Sequence, residues 1–219
     1  MRAISLAAVL LLAACASAPA PPDWQANAQL ALRNFTAAYY AGNTRLAGQE
    51  FARARAEIAS TGRPDLLARA ELMRCAARVA SLAFDDCPGF EALAADAPAP
   101  ERAYAAFLAG RWQGLDPALL PAQHRALLAG TADADAGALA AIADPMSRLV
   151  AAGVLFRIGR LTPAGIAAAT DTASANGWRR PLLAWLGVEA ARADTAGDRD
   201  AAARIRRRIA LVSSSSAAP

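Results

Sequence analysis

DPMSRLVAAGVLFRIGRLTPAGIAAATDTASANG, residues 144–177, is the stretch whose reading decides the fold. Asp144-Pro145 is a capping side chain followed by a first-turn proline, where the missing N–H costs nothing. Met146, Leu149, Val150, Gly153 and Phe156 then recur at three- and four-residue steps, the apolar stripe of a helix, until Gly159. Thr162-Pro163 repeats the start signal, and an alanine-rich face with Ile166 runs on to Asn176-Gly177. Two helices joined by so short a turn are antiparallel neighbours. The pattern continues: Pro181 opens a helix bearing Leu183, Leu186 and Ala190 that stops at Gly197. Asp198 caps a last helix with Ala202, Ile205, Ile209 and Val212 facing inward.

The same grammar holds toward the N-terminus. Asp23 caps a first helix with Trp24, Ala28, Ala31, Phe35 and Ala38 on one face, ended by Gly42-Asn43. A second helix carries Leu46, Ala47, Phe51, Ala54 and Ile58 and closes at Thr61-Gly62. Pro64 starts a third, with Ala68, Leu72, Cys75, Val79 and Leu82 buried. A short helix carries Phe90 and Leu93, another spans 101–111, and Asp116-Pro117 and Pro121 open two short helical pieces ending at Gly130. The weakly patterned 131–137 reads as a turn leading into a helix through Leu139 and Ile142. No run alternates with period two over a strand's length, so the expected class is all-α.

Three turns follow one local rule. Gly42 precedes Ala47, Gly159 precedes Ala164 and Gly197 precedes Ala202, each by five residues. Glycine supplies the positive φ that ends one helix, and the small residue lets the next approach closely. This resembles the turn of a tetratricopeptide repeat. Ala47, Phe51 and Ala54 match its second-helix pattern, whereas Arg206 stands where an aromatic is usual after Ala202, and Phe35 sits where a small residue is usual. The resemblance implies antiparallel hairpins stacked as a short α-solenoid over residues 23–212. Glycine separations of 38 and 117 residues exceed multiples of the usual period of about 34. A non-repetitive helical bundle is therefore the alternative.

The N-terminus carries a second resemblance. Arg2, an apolar run from Ala3 to Leu12, and Leu12-Ala13-Ala14-Cys15 resemble the signal peptide and lipobox of bacterial lipoproteins. The resemblance implies removal of residues 1–14, a covalent lipid on Cys15 and a Pro/Ala tether over 15–22. Ala16, standing where an inner-membrane retention signal would place Asp, implies the periplasmic face of the outer membrane. The alternative is an ordinary secretory signal cleaved after Ala18 or Ala20. A membrane-spanning helix is excluded: the apolar core is about a dozen residues, against the ~20 needed, and Pro19, Pro21 and Pro22 break any continuation of it. Residues 213–219 read as a disordered tail.

Export fits the cysteines. With Cys15 used by the anchor, Cys75 and Cys87 form an even pair in an oxidising compartment. A helix from Cys75 to near Ala83 climbs about 12 Å, and the four residues to Cys87 can return about that far. A disulfide is expected; two reduced cysteines, one buried and one exposed, are the alternative.

Composition excludes several chemistries. All 23 basic residues are Arg, and the formal charge of +4 includes Arg2, so the balance is only weakly basic; nucleic acid is not an expected partner. Without Lys there is no Walker-type phosphate loop, Schiff base or Ser-Lys dyad. The single His124 precludes a His-Glu-x-x-His zinc site and reads as a surface or boundary residue. No Gly-x-Ser-x-Gly elbow occurs. Asp133, Asp135, Asp194, Asp198 and Asp200 show no calcium-loop spacing and read as caps and dipole partners. Nothing selects Glu57 or Glu71 as a general acid, and Arg204, Arg206, Arg207 and Arg208 read as a solvated face.

No metal or cofactor beyond the Cys15 lipid is expected. The sequence points to a membrane-anchored scaffold that binds a protein or peptide in the cell envelope. Tyr40, Trp112, Trp178, Arg179 and Arg180 are its candidate contact residues, because aromatic and Arg side chains dominate interface anchors. An envelope enzyme or small-ligand binder with a site between helices is the alternative. A deep groove with convergent polar groups would favour that alternative, and a shallow apolar face the scaffold.

Overall fold

The computed structural model describes residues 22–130 and 132–214; the expected signal segment, Cys15, the expected tether up to Pro21, and 215–219 lie outside them. The described chain is all-helical: α1 Asp23–Tyr40, α2 Thr44–Ala59, α3 Pro64–Ala80, α4 Pro88–Glu91, α5 Ala99–Leu108, two 3-10 segments at Pro117–Leu119 and Ala122–Ala129, α6 Ala132–Ala141, α7 Pro145–Arg157, α8 Pro163–Ala175, α9 Arg179–Thr195 and α10 Arg199–Ser214. No described helix is long and apolar enough to cross a membrane.

The local signals place most boundaries. Asp144 accepts from the Ser147 N–H at 2.6 Å, Thr162 from Gly165 at 3.1 Å and Asp198 from Ala201 at 2.9 Å, three orphan donors of helix first turns each satisfied by a side chain. Asp23 differs from expectation: it is the first helical residue behind Pro22, placed to complement the dipole rather than to cap. The α9 start lies two residues before Pro181, at Arg179. The 131–137 region is helical from Ala132 rather than a turn, and α5 spans 99–108 rather than 101–111. Ser213 and Ser214 belong to α10, which corrects the expected tail at those two positions; its remainder, 215–219, lies outside the described residues.

The glycine rule holds in two turns of three. Gly42 and Gly197 take φ of +88° and +71°, and Ala47 and Ala202 are buried where the hairpins close. Gly159 also turns with positive φ, but Ala164 is exposed.

The centre of the core is α3. It lies along the α1–α2 hairpin on one side and packs most extensively on α7, with α5 beside it. From α7 the chain runs α7–α8–α9–α10 with each helix against the next, the two terminal hairpins having the largest contacts. The segment from α4 to α6 fills the flank between α3 and α7. α9 then returns to the α1 end: its fully buried Trp185 donates Nε1–H to the Ala80 carbonyl at the end of α3, 3.2 Å away. That indole satisfies one of the carbonyls α3 leaves open.

Candidate functional site

Two adjoining depressions run along α3. Arg69, Leu72, Met73 and Ala76 share one helix face, at steps of three and four. The larger depression, about 510 Å³, lies between this face, Glu101 and Tyr104 of α5, the 118–121 segment with Arg125, and Met146 of α7. The smaller, about 260 Å³, lies between α3 and the first turns of α1 at Trp24 and Gln29. Arg69 and Met73 belong to both, so the two form one open, mainly apolar groove.

Its polar equipment is sparse. Glu101 is 6% exposed and its Oε1 is held by Arg69 Nε, while Oε2 has no donor among the described residues. Arg125 is spent on backbone: Nε donates to the Leu120 carbonyl at 2.9 Å and a terminal nitrogen to that of Ala118 at 3.3 Å. Burial pushes the Tyr104 hydroxyl well above the usual phenol range, the charge of Asp144 adding to it, so Tyr104 stays protonated at any physiological pH.

Behind Tyr104 stands a rigid wall. His124 stacks nearly parallel on Tyr104 (5.9 Å, 5°) and on Phe107 (5.0 Å, 18°), and Phe107 stacks on Trp112 (5.5 Å, 5°). Arg160 covers Trp112 at 5.1 Å from the ring centre. His124 is thus a core residue at 1% exposure, correcting the surface reading. Its Nε2 lies 3.1 Å from the Ser147 carbonyl, which can only accept, so Nε2 carries the hydrogen; Nδ1 is buried without a partner among the described residues. Desolvation lowers its basicity, outweighing the Ser147 carbonyl and Asp144.

The contact residues expected from sequence are put to other uses. Tyr40 is fully buried, which corrects its assignment as a partner contact. Its ring lies 4.8 Å from that of Trp178. Arg180 stands over the Tyr39 ring at 4.3 Å and donates to the Tyr39 carbonyl and the Thr44 hydroxyl, both at 2.7 Å. Arg179 donates to the Val212 carbonyl at 3.1 Å. Of the five, Tyr40 and Trp178 meet directly, and with Arg179 and Arg180 beside Trp178 in sequence they weld α9 to the first hairpin and to α10. Trp112 lies apart, half-buried, its Nε1–H donated to the Phe107 carbonyl at 3.2 Å.

The acidic residues also resolve into structure. Asp135 is buried and forked by Arg160, at 2.6 and 2.8 Å, rather than serving as a cap. Buried Glu71 is paired by Arg55 and Arg74, against Gly89, where a Cβ would overlap its carboxylate. Cys75 and Cys87 lie at disulfide distance, their Cα atoms 5.7 Å apart, with Asp85 beside them and paired to Arg78 at 2.9 Å. Asp85 and the two sulfurs lie within 4.8 Å of one another, but sulfurs bonded to each other offer no thiolate to a metal.

Sequence reasoning misses the groove because its carboxylate and arginine are 32 residues apart. The signal is there in part: Arg69 and Met73 flank the Leu72 stripe. A further depression, of about 600 Å³ between the α7–α8 turn and α9, has Arg192 as its one charged lining residue, and none of the buried unpaired polar atoms lies in its lining. Comparison with protein-family models, curated proteins and solved structures finds no match to this chain.

Proposed function

We propose that this chain is a lipid-anchored, periplasm-facing scaffold of the outer membrane that binds a protein or peptide partner along the α3 groove. The observation that carries the reading is the groove itself: open and apolar, two depressions long, and walled by Met73 and Met146, side chains that adapt to different contacts. An extended chain fits such a trough better than a compact metabolite, which takes an enclosed pocket. The sequential stack α7–α10 is the part that suits a degenerate hairpin-repeat reading. The α3–α7 pairing is what a bundle would show.

The anchor and the partner are tested separately. Photo-crosslinkers at the exposed groove positions Gln29 and Ala118 should capture one partner from intact envelopes, while the same probe at exposed Arg207 should not. Loss of acylation and of membrane attachment in a Cys15→Ala protein supports the anchor; unchanged acylation removes it. Turnover of a wall or lipid substrate without any crosslink would instead favour the enzyme reading.

A further inference from the structure

We infer that the free carboxylate oxygen of Glu101 is the recognition point of the groove, and that it accepts a backbone N–H from an extended apolar peptide of neutral or acidic character. The inference rests on the groove being the binding face, and adds to it a residue and a ligand chemistry.

A carboxylate with an oxygen removed from water and given no donor is rare, because the unmet bond costs about 1–3 kcal/mol or more. Glu101 is in that position: Arg69 serves Oε1, Oε2 is out of contact with solvent and has no donor among the described residues, and the side chain forms part of the groove wall. The last torsion of a Glu side chain is soft, so a donor offered from the groove can draw the carboxylate round to meet it.

Three features choose the occupant. Glu101 already has the charge of Arg69, and Arg125 lines the same depression, so the groove holds two guanidiniums to one carboxylate. A cationic ligand meets net positive charge there; a neutral amide does not. A hydrocarbon chain supplies no hydrogen, and lying over Glu101 it would make the desolvation of Oε2 permanent. A peptide supplies an N–H on the same strand that lays alternate apolar side chains against Leu72, Met73 and Leu119.

The test uses the full chain and a library of capped apolar hexapeptides with a glutamate at each end, measured by calorimetry. A binder should lose at least tenfold in affinity when its central amides are N-methylated. It should lose as much to Glu101→Gln, which turns a donor toward the groove, and the methylation effect should vanish in that variant. Ala118→Trp, on the exposed rim, blocks the trough without touching the core and should abolish binding. Methylation and Glu101→Gln each without effect, with Ala118→Trp still blocking, would overturn the role of Glu101 and leave the groove standing. Binding indifferent to Ala118→Trp would overturn the groove. No peptide bound, with a detergent-dispersed fatty acid bound instead, would overturn the peptide as occupant.

Discussion

Gly153 of α7 rests directly on the Val79 carbonyl of α3: a methyl group at this glycine would overlap both that oxygen and its carbon. The contact joins residues 74 positions apart and sets how closely the two central helices approach. A backbone carbonyl cannot swing aside as a side chain can.

Gly153→Ala should therefore destabilise although alanine is the better helix former. The propensity gain is about 1 kcal/mol, while overpacking against a fixed group costs about 1–3 kcal/mol and is highest where nothing can yield. Gly187, in the interior of α9 with nothing within 4 Å of a built Cβ, is the control. Thermal melts should show Gly187→Ala above and Gly153→Ala below the parent, at about 2–4 °C per kcal/mol for a chain of this size. A rise for both would mean that α3 and α7 are further apart than described.

That contact also shows what the sequence can and cannot convey. Helix starts at Pro64, Asp144-Pro145 and Thr162-Pro163 are legible because a first-turn proline, joined at the last two by a capping side chain, acts within four residues. So is the Cys75–Cys87 pairing, a matter of short-range reach. The stripes show that α3 and α7 each bury a face, but not that they bury it against each other, since periodicity carries no information on partners. Trp185 escapes the α9 stripe drawn through Leu183 and Leu186, whereas Leu182, Trp185 and Leu186 are in fact buried together. The groove rests on such pairings, and so stays out of reach. The welded aromatic-Arg cluster has the composition of an interface because it is one, within the chain.

Arg160 holds the least patterned segment in place. Besides forking Asp135, it donates to the Gly130 and Leu127 carbonyls and covers Trp112. Arg160→Met leaves Asp135 charged and buried. Breaking such a pair costs about 3–5 kcal/mol when fully buried; with Arg160 29% exposed, a loss of about 2–3 kcal/mol is expected. Arg160→Lys should recover only part of it, because an ammonium cannot span both oxygens and the carbonyls. Chemical denaturation reads all three. Changing Asp135 to Asn in the Arg160→Met background should restore stability if the stranded charge is the main cost.

The Cys75–Cys87 link closes a loop of 12 residues, which should stabilise by about 2–3 kcal/mol through the unfolded chain. Denaturation midpoints with and without a thiol reductant should differ accordingly. The paired Cys75→Ala and Cys87→Ala protein should match the reduced form and not respond to reductant. Coincident midpoints for the parent under both conditions would show that the link does not form. Amide exchange should rise first around Phe90, whose burial depends on α4 being held against α3.

His124 should make the fold sensitive to mild acid. In the folded chain its basicity is lowered, chiefly by desolvation, so the unfolded chain takes a proton at the ordinary imidazole value of about 6.5 while the folded one does not. The unfolded state then binds more protons, and stability falls as pH drops through about 6.5, continuing down to the lowered folded value. Protonation would put a hydrogen on Nδ1, which faces no acceptor among the described residues, in an imidazole packed beside the rings of Tyr104 and Phe107. Between pH 7.5 and about 5, above the range where carboxylates titrate, unfolding midpoints should decline in the parent protein. In His124→Gln the decline should flatten, even if the variant is less stable throughout for want of the stack. A parent midpoint constant over that window would mean that the imidazole titrates alike in both states, and so is not sealed behind Tyr104.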